Sequence, residues 1–365
     1  MNPPVVLPVD RLADLWPTEL RGLRLGAVLH AASITSRCQP VVDVLGELDG
    51  THFKLTTLFG PQHGFAGTTQ DNMIEWEGYR HAQLGVPVYS LYGEHRQPTP
   101  EMLGNIDVLL VDLMDIGSRY YTFIWSLYLC MKACAAAGIH VVVCDRPNPI
   151  NGVDCEGDVI QDGYFSFVGL HPIPVRHGKT IGELALQFQK EVFPDCLLTV
   201  LPMQHWERSM WFDQTGLPWA MPSPNMPTLD TAIVYPGMCL LEATNLSEGR
   251  GTTRPFETFG APWIDGHALA RALNALELPG VYFREIAFEP TFQKHARTIC
   301  QGAFLHVTDR DTFRSLATTR TILTTIRDQY PEKFSWNPPP YEYEYEKLPI
   351  EILAGMPLAK AFPAS

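Results

Sequence analysis

The side chains able to do chemistry fall in short clusters, and the most suggestive is Tyr92-Gly93-Glu94-His95-Arg96. Glu94 follows a glycine at the end of the apolar run Val86–Leu91, so its carboxyl group can project into a cleft, with Tyr89, Leu91 and Tyr92 placed to withhold water from it. Desolvation favours a protonated carboxyl, which a general acid requires. Hydrolysis of a glycosidic bond uses such an acid to protonate the leaving oxygen, and a second group to attack or stabilise the anomeric carbon. Asp112 and Asp115 are the next carboxylates. Asp112 ends a wholly apolar run, where an unpaired charge is costly, and Arg119 is close enough in sequence to neutralise either acid. Each acid has a structural alternative: Glu94 in a surface pair with Arg96, and Asp112 or Asp115 in a pair with Arg119.

Two later segments suit an anionic, polar ligand. Pro174-Val175-Arg176-His177-Gly178 sets a cation and an imidazole just before a helix start, and the stretch from Asn245 to Thr253 interleaves Ser247, Glu248 and Arg250 with glycines. Glycine permits close backbone approach and arginine grips a carboxylate with two parallel hydrogen bonds. A turn closed by a salt bridge is the plainer alternative for the second loop. His63, His171 and His177 are possible metal ligands, but neither HExxH nor a Cys/His spacing is present, and no GxGxxG follows the first strand. No metal and no nucleotide cofactor is expected. GxSxG is also missing, which removes the usual α/β-hydrolase serine.

These clusters need elements to position them. Leu25–His30, Leu55–Phe59, Val86–Leu91, Val108–Leu113 and Ile139–Cys144 read as strands, with Leu198–Met203 as one more. Helices are expected over Val41–Leu48, from Thr99-Pro100-Glu101, over Phe123–Ala137 with Gly138 as its left-handed stop, and from the capping-box sequence Thr180–Glu183 to Val192. Uninterrupted apolar strands alternating with helices indicate an α/β fold, a parallel sheet covered on both faces. In open sheets of that kind ligands bind beyond the carboxyl ends of the strands, which is where the Gly60–Gly64, Tyr92–Arg96, Asp112–Arg119 and Asp145–Pro149 clusters lie. After about residue 205 the texture changes to a Trp-, Pro- and Met-rich connection, Trp206–Thr228. Helices near His267–Leu276 and Thr312–Gln329 and strands near Val281–Phe288 and Gly302–Val307 follow, an α+β layout. The expected division is 1–205 and a smaller domain over 206–365.

With 365 residues, 45% of them hydrophobic and 18% charged, the chain can bury a large core. A net charge of −13 makes nucleic acid and anionic lipid poor partners. No run approaches the roughly 18 apolar residues of a spanning helix, and the N-terminus lacks a signal-peptide pattern, so a soluble protein is expected, cytoplasmic as written or periplasmic if a leader has been removed. The eight cysteines form no CxxC pair and mostly sit in apolar runs, as reduced core thiols do.

Several multi-residue blocks together resemble one family, the exo-β-N-acetylmuramidase (NamZ-type) family, glycoside hydrolase family 171. They are LFGPQHGFAG (58–67), SLYGEHRQPT (90–99), DLMDIGSRYYTF (112–123), DRPNPINGVDCEG (145–157), HPIPVRHGKTIGELA (171–185), PSPNMPTLDTAIVYPG (222–237), TNLSEGRGTTRPFE (244–257) and EYEYEKLPIEILAG (342–355). The resemblance implies a Rossmann-like domain followed by a smaller domain that closes an active cleft, and release of N-acetylmuramic acid (MurNAc) from the non-reducing ends of peptidoglycan fragments. It implies Glu94 as catalytic acid, with Asp115, Glu248 or Asp112, or the substrate's own acetamido group, completing the chemistry. His63, Asp112, Arg119, Tyr120, Asn148, Asn151, Arg176, His177, Asn225, Asn245 and Arg250 are the expected substrate contacts, with Arg119, Arg176 or Arg250 reading the lactyl carboxylate of MurNAc. Binding of peptidoglycan fragments without cleavage, or acyl cleavage through a hydroxyl such as Ser247, are the alternatives. Two departures stand out: Gln62 replaces an acid and Ala66 an arginine of the family's usual GPEHGFRG, and His30-Ala31-Ala32-Ser33 replaces an Asn-rich turn.

Overall fold

Strands made only of apolar residues must be covered on both sides, and in the computed structural model, which describes residues 3–71 and 73–363, such strands form the middle of a seven-stranded sheet. The strands are β1 (Arg24–Val28), β2 (Lys54–Gly60), β3 (Tyr79–Arg80), β4 (Pro87–Ser90), β5 (Val108–Val111), β6 (His140–Cys144) and β7 (Leu198–Leu201), in the order β3-β4-β2-β1-β5-β6-β7. All neighbours run parallel except β3 and β4, which pair antiparallel. From β4 to β7 this is the spatial order of a Rossmann-like sheet, with the direction of progression reversing between β1 and β5. Within this sheet β3 is the strand the sequence does not announce: two exposed residues carry no periodicity.

The connecting helices follow the local signals. Phe123–Ala137 stops at Gly138, which has φ 67° and bonds back to the carbonyls of Cys134 and Ala135. Ile181–Glu191 starts on the expected capping box: the Thr180 hydroxyl accepts from the Glu183 amide while the Glu183 carboxylate accepts from the Thr180 amide. Asp145, at the end of β6, accepts from the Gly182 amide at 2.8 Å and the Thr180 hydroxyl at 3.1 Å, tying sheet to helix. Burial pushes this carboxyl up to about 6, against the pull of those hydrogen bonds.

The chain groups into two compact units, one of Met1–Gly117, Tyr121–Val153 and Gly178–Pro224, the other of Ser118–Tyr120, Asp154–His177 and Asn225–Ser365. The second holds a three-stranded antiparallel sheet, β8 (Thr258–Ala261), β10 (Cys300–Val307) and β9 (Val281–Phe288) in that order, with helices Leu229–Met238, Gly266–Asn274 and Ser315–Gln329. Leu229–Met238 is almost wholly buried and contains Pro236, so neither an amphipathic period nor helix-forming composition reveals it in the sequence. Among the described residues no helix is long and apolar enough to cross a membrane. The eight cysteines are unpaired thiols, six of them buried.

Two outcomes test this account. Leu110 on the interior strand β5 is fully buried, so Leu110→Ala should cost about 2–5 kcal/mol, read as a lowered urea midpoint at unchanged slope. Asp145 binds its proton more tightly when folded than when unfolded, so its contribution favours folding below about pH 4 and is lost as the pH rises through about 6. Wild type should therefore lose stability relative to Asp145→Asn between those limits; parallel melting curves for the two across that range would contradict it.

Candidate functional site

In the first unit the polar groups gather at the carboxyl ends of the strands. At the end of β4, Gly93 has φ 143° and carries no side chain where Glu75 packs; a Cβ there would lie 3.2 Å from the Glu75 carboxyl. Glu94 follows, and with Glu75, Trp76, Glu77, Tyr89 and Tyr92 it lines a cleft of about 480 Å³. The apolar shielding expected from Tyr89, Leu91 and Tyr92 is not found. Leu91 and Tyr92 are buried, and the Glu94 side chain is 88% exposed, with the His95 imidazole 3.8 Å from its carboxylate.

At the end of β2 the backbone turns sharply, with His63 at φ 70° and its Nδ1 bonded to the Thr69 carbonyl at 2.7 Å. Gln62 is buried: its amide nitrogen donates to the Tyr92 hydroxyl at 3.1 Å and its carbonyl oxygen accepts from the Thr122 hydroxyl at 2.6 Å. A carboxylate in its place would offer acceptors only, to two hydroxyls that can both donate.

Where the strand order reverses, between β1 and β5, the polar groups bond to one another. Asp112 accepts both arms of Arg146 at 2.6 and 2.7 Å, and the same guanidinium donates to the Ile34 carbonyl at 2.9 Å. The expected partner of Asp112 was Arg119. The correction has a physical cause: Arg119 belongs to the second unit, whereas Arg146 ends the strand beside Asp112. Ser33 donates to the Asp112 carbonyl, and His30 Nε2 accepts from the Met114 amide at 3.0 Å. That bond leaves the ring hydrogen on Nδ1, facing the Pro222 carbonyl at 3.3 Å. Burial, with Arg146 and His63 adding to it, drives the His30 pKa down to about 3, so the ring is neutral. Asp115 is buried and accepts from the Gly117 amide at 2.7 Å. Asn148 donates to the Lys179 carbonyl at 2.9 Å and accepts from Ile150, while Asn151, at φ 66°, accepts from Val153. Both amides therefore shape the loop after β6.

The other expected contacts belong to the second unit. Arg119 is completely buried and donates to the carbonyls of Asp158, Ile173 and Leu353 at 2.8, 3.2 and 2.7 Å; burial lowers its pKa to about 10. Tyr120 donates to the Pro236 carbonyl. Arg176 lies 3.3 Å from Asp154 and 3.2 Å from Glu156, with buried His177 next to it. Asn225 is buried, and Asn245 bridges Lys333 and Ser335. Arg250 sits between Glu242 at 2.8 Å and Glu248 at 3.2 Å. Burial opposes its charge, yet the two carboxylates outweigh burial and raise its pKa. Glu248 is also held by Lys294 at 2.8 Å; burial works against its ionisation, but Lys294 and Arg250 win and its pKa is lowered. Ser247 is buried, its hydroxyl oxygen accepting from the Gly249 amide at 3.2 Å. Among the described residues no group of three or more His, Cys, Asp and Glu side chains is placed to hold a metal ion.

Sequence reasoning gave no role to Arg146, Trp76, Glu242 or Lys294. The first could have been found from its place directly after a strand-end aspartate; Lys294 lies 46 residues from the Glu248 it holds.

Comparison with known proteins gives the family. Two family models cover the chain almost end to end: exo-β-N-acetylmuramidase NamZ, N-terminal, over residues 25–230, and its C-terminal counterpart over 233–361. The chain is 48% identical over 335 residues to the peptidoglycan β-N-acetylmuramidase NamZ of Bacillus subtilis (strain 168), covering 92% of this chain and 80% of that protein. A crystal structure of a DUF1343 family protein from Bacteroides fragilis NCTC 9343 superposes with a TM-score of 0.86 at 32% identity, over 98% of this chain and 90% of that one. A second from the same organism gives 0.70 at 26% identity, over 96% and 88%. With both family models matched in chain order and a relative 48% identical over nine-tenths of this chain, the chain belongs to the exo-β-N-acetylmuramidase NamZ family.

Proposed function

We propose that the protein is an exo-acting β-N-acetylmuramidase that hydrolyses MurNAc–GlcNAc saccharides (GlcNAc, N-acetylglucosamine) from the non-reducing end, releasing MurNAc in cell-wall turnover. The observation that carries the reading is the 48% identity over 92% of the chain to a relative named for that activity. In this reading Glu94, in its open cleft, protonates the leaving oxygen. Asp112 is occupied by Arg146, and Glu248 by Arg250 and Lys294. We put forward Asp115, buried just beyond the end of β5 in the same unit as Glu94, as the second group. Of the three arginines expected to read the lactyl group, Arg119 is spent on backbone carbonyls and Arg250 is clamped by two glutamates. Arg176, beside Asp154 and Glu156 and next to buried His177, is the one we put forward as the lactyl reader.

A second reading, peptidoglycan-fragment binding without cleavage, draws on the 88% exposure of Glu94 and on Gln62 standing where the family block has an acid. Reducing-sugar release from MurNAc–GlcNAc decides between the two. Binding without release, together with a gain of cleavage in Gln62→Glu, would establish the second.

Three outcomes are expected. A chromogenic β-MurNAc glycoside is cleaved and the β-GlcNAc analogue much more slowly; equal rates would remove the muramidase assignment. Glu94→Gln lowers kcat on MurNAc–GlcNAc by about 10²–10⁴-fold, but much less on an aryl glycoside whose leaving group needs no proton, whereas Asp115→Asn depresses both. Arg176→Ala narrows the preference for MurNAc over GlcNAc by about one to two decades, the worth of one hydrogen bond to a charged group; an unchanged ratio would place the lactyl reader elsewhere.

A further inference from the structure

The cleft beside Glu94 has a wall that no motif announces, formed by Glu75, Trp76 and Glu77. The indole of Trp76 is half-buried and held in place: its N–H donates to the Pro61 carbonyl at 3.1 Å. Its six-membered ring lies over the turn after β2, which is possible because residue 60 is glycine; a Cβ there would come within 2.7 Å of the ring. Tyr79 steadies it from the side, with ring centroids 6.5 Å apart. The result is a rigid aromatic surface whose polar atom is already satisfied, on the wall of a cleft of about 480 Å³.

An aromatic face immobilised before binding loses little entropy on contact and offers a large apolar area to a ligand. Pyranose rings present C–H groups on their faces and hydroxyls around their edges. Glu75 and Glu77, either side of Trp76 in the chain, are acceptors when ionised and match hydroxyl donors. The same two charges repel a ring that carries a carboxylate. The wall therefore suits an uncharged sugar and disfavours MurNAc.

We propose that Trp76, flanked by Glu75 and Glu77, is the subsite for the uncharged N-acetylglucosamine ring that departs when the glycosidic bond is cut. This rests on the reading of the substrate as a MurNAc–GlcNAc saccharide, and it agrees with the proton donor assigned to the leaving oxygen sharing the cleft.

The test titrates the full-length protein separately with free N-acetylglucosamine and free N-acetylmuramic acid, alongside kinetics on the disaccharide. Trp76→Ala should weaken N-acetylglucosamine at least tenfold and raise KM for the disaccharide, with N-acetylmuramic acid within twofold of wild type; Trp76→Phe should retain most of the binding. Because Trp76 also packs over Gly60, exposed Glu77→Gln serves as a variant with no core role. It should weaken N-acetylglucosamine severalfold and leave N-acetylmuramic acid unchanged or tighter. The assignment is overturned if both sugars weaken together in Glu77→Gln, or if neither variant moves N-acetylglucosamine. Should wild type release no MurNAc while N-acetylglucosamine binding still depends on Trp76 and Glu77, the reaction is wrong and the subsite stands.

Discussion

The first unit is organised around one buried ion pair. Arg146 at the end of β6 donates twice to Asp112 at the end of β5 and once to the Ile34 carbonyl beyond β1, so a single guanidinium joins three strand ends. Burying two charges is costly, and only near-ideal geometry with every remaining valence satisfied makes it tolerable. Here Ser33 takes the Asp112 carbonyl, and neutral His30 links Met114 to Pro222. In many open α/β sheets the crevice where strand order reverses receives a ligand. In this sheet the protein's own side chains hold it, and the cleft carrying Glu94 opens at the end of β4, two strands away.

The second unit repeats the strategy with more charges. Glu242, Arg250, Glu248 and Lys294 alternate in sign through buried contacts of 2.8–3.2 Å, and Tyr341 and backbone carbonyls of Leu241 and Thr244 take up what is left. A network closed in this way fixes the conformation of the Asn245–Thr253 loop more than it adds stability. The polar, glycine-rich composition that reads as a ligand loop in the sequence is equally the composition of a loop pinned by internal charges.

Much of the fold was legible because its signals are local. Unbroken apolar runs gave the parallel strands, and Gly138 and the Thr180–Glu183 pair set helix ends through bonds spanning a few residues. What escaped depends on distant partners. Asp112 and Arg146 are 34 residues apart, and nothing near Asp112 betrays the pair, whereas Arg119, closer in sequence, invites a wrong one. The cleft that holds Glu94 is walled by the segment around Trp76, whose packing on the turn after β2 no spacing encodes. The long buried helix Leu229–Met238 lacks a polar face and so lacks a period.

β3 is two residues long, antiparallel, exposed and carries Arg80 at the rim of the sheet. A parallel sheet that ended on a long, flat strand would offer a row of unsatisfied amides and carbonyls to any neighbouring chain. This one ends on a strand too short to template an addition, with a charge that would have to be stripped of water to allow one. The same few residues guard this edge of the sheet against aggregation while the apolar strands behind them remain free to be as hydrophobic as the core demands.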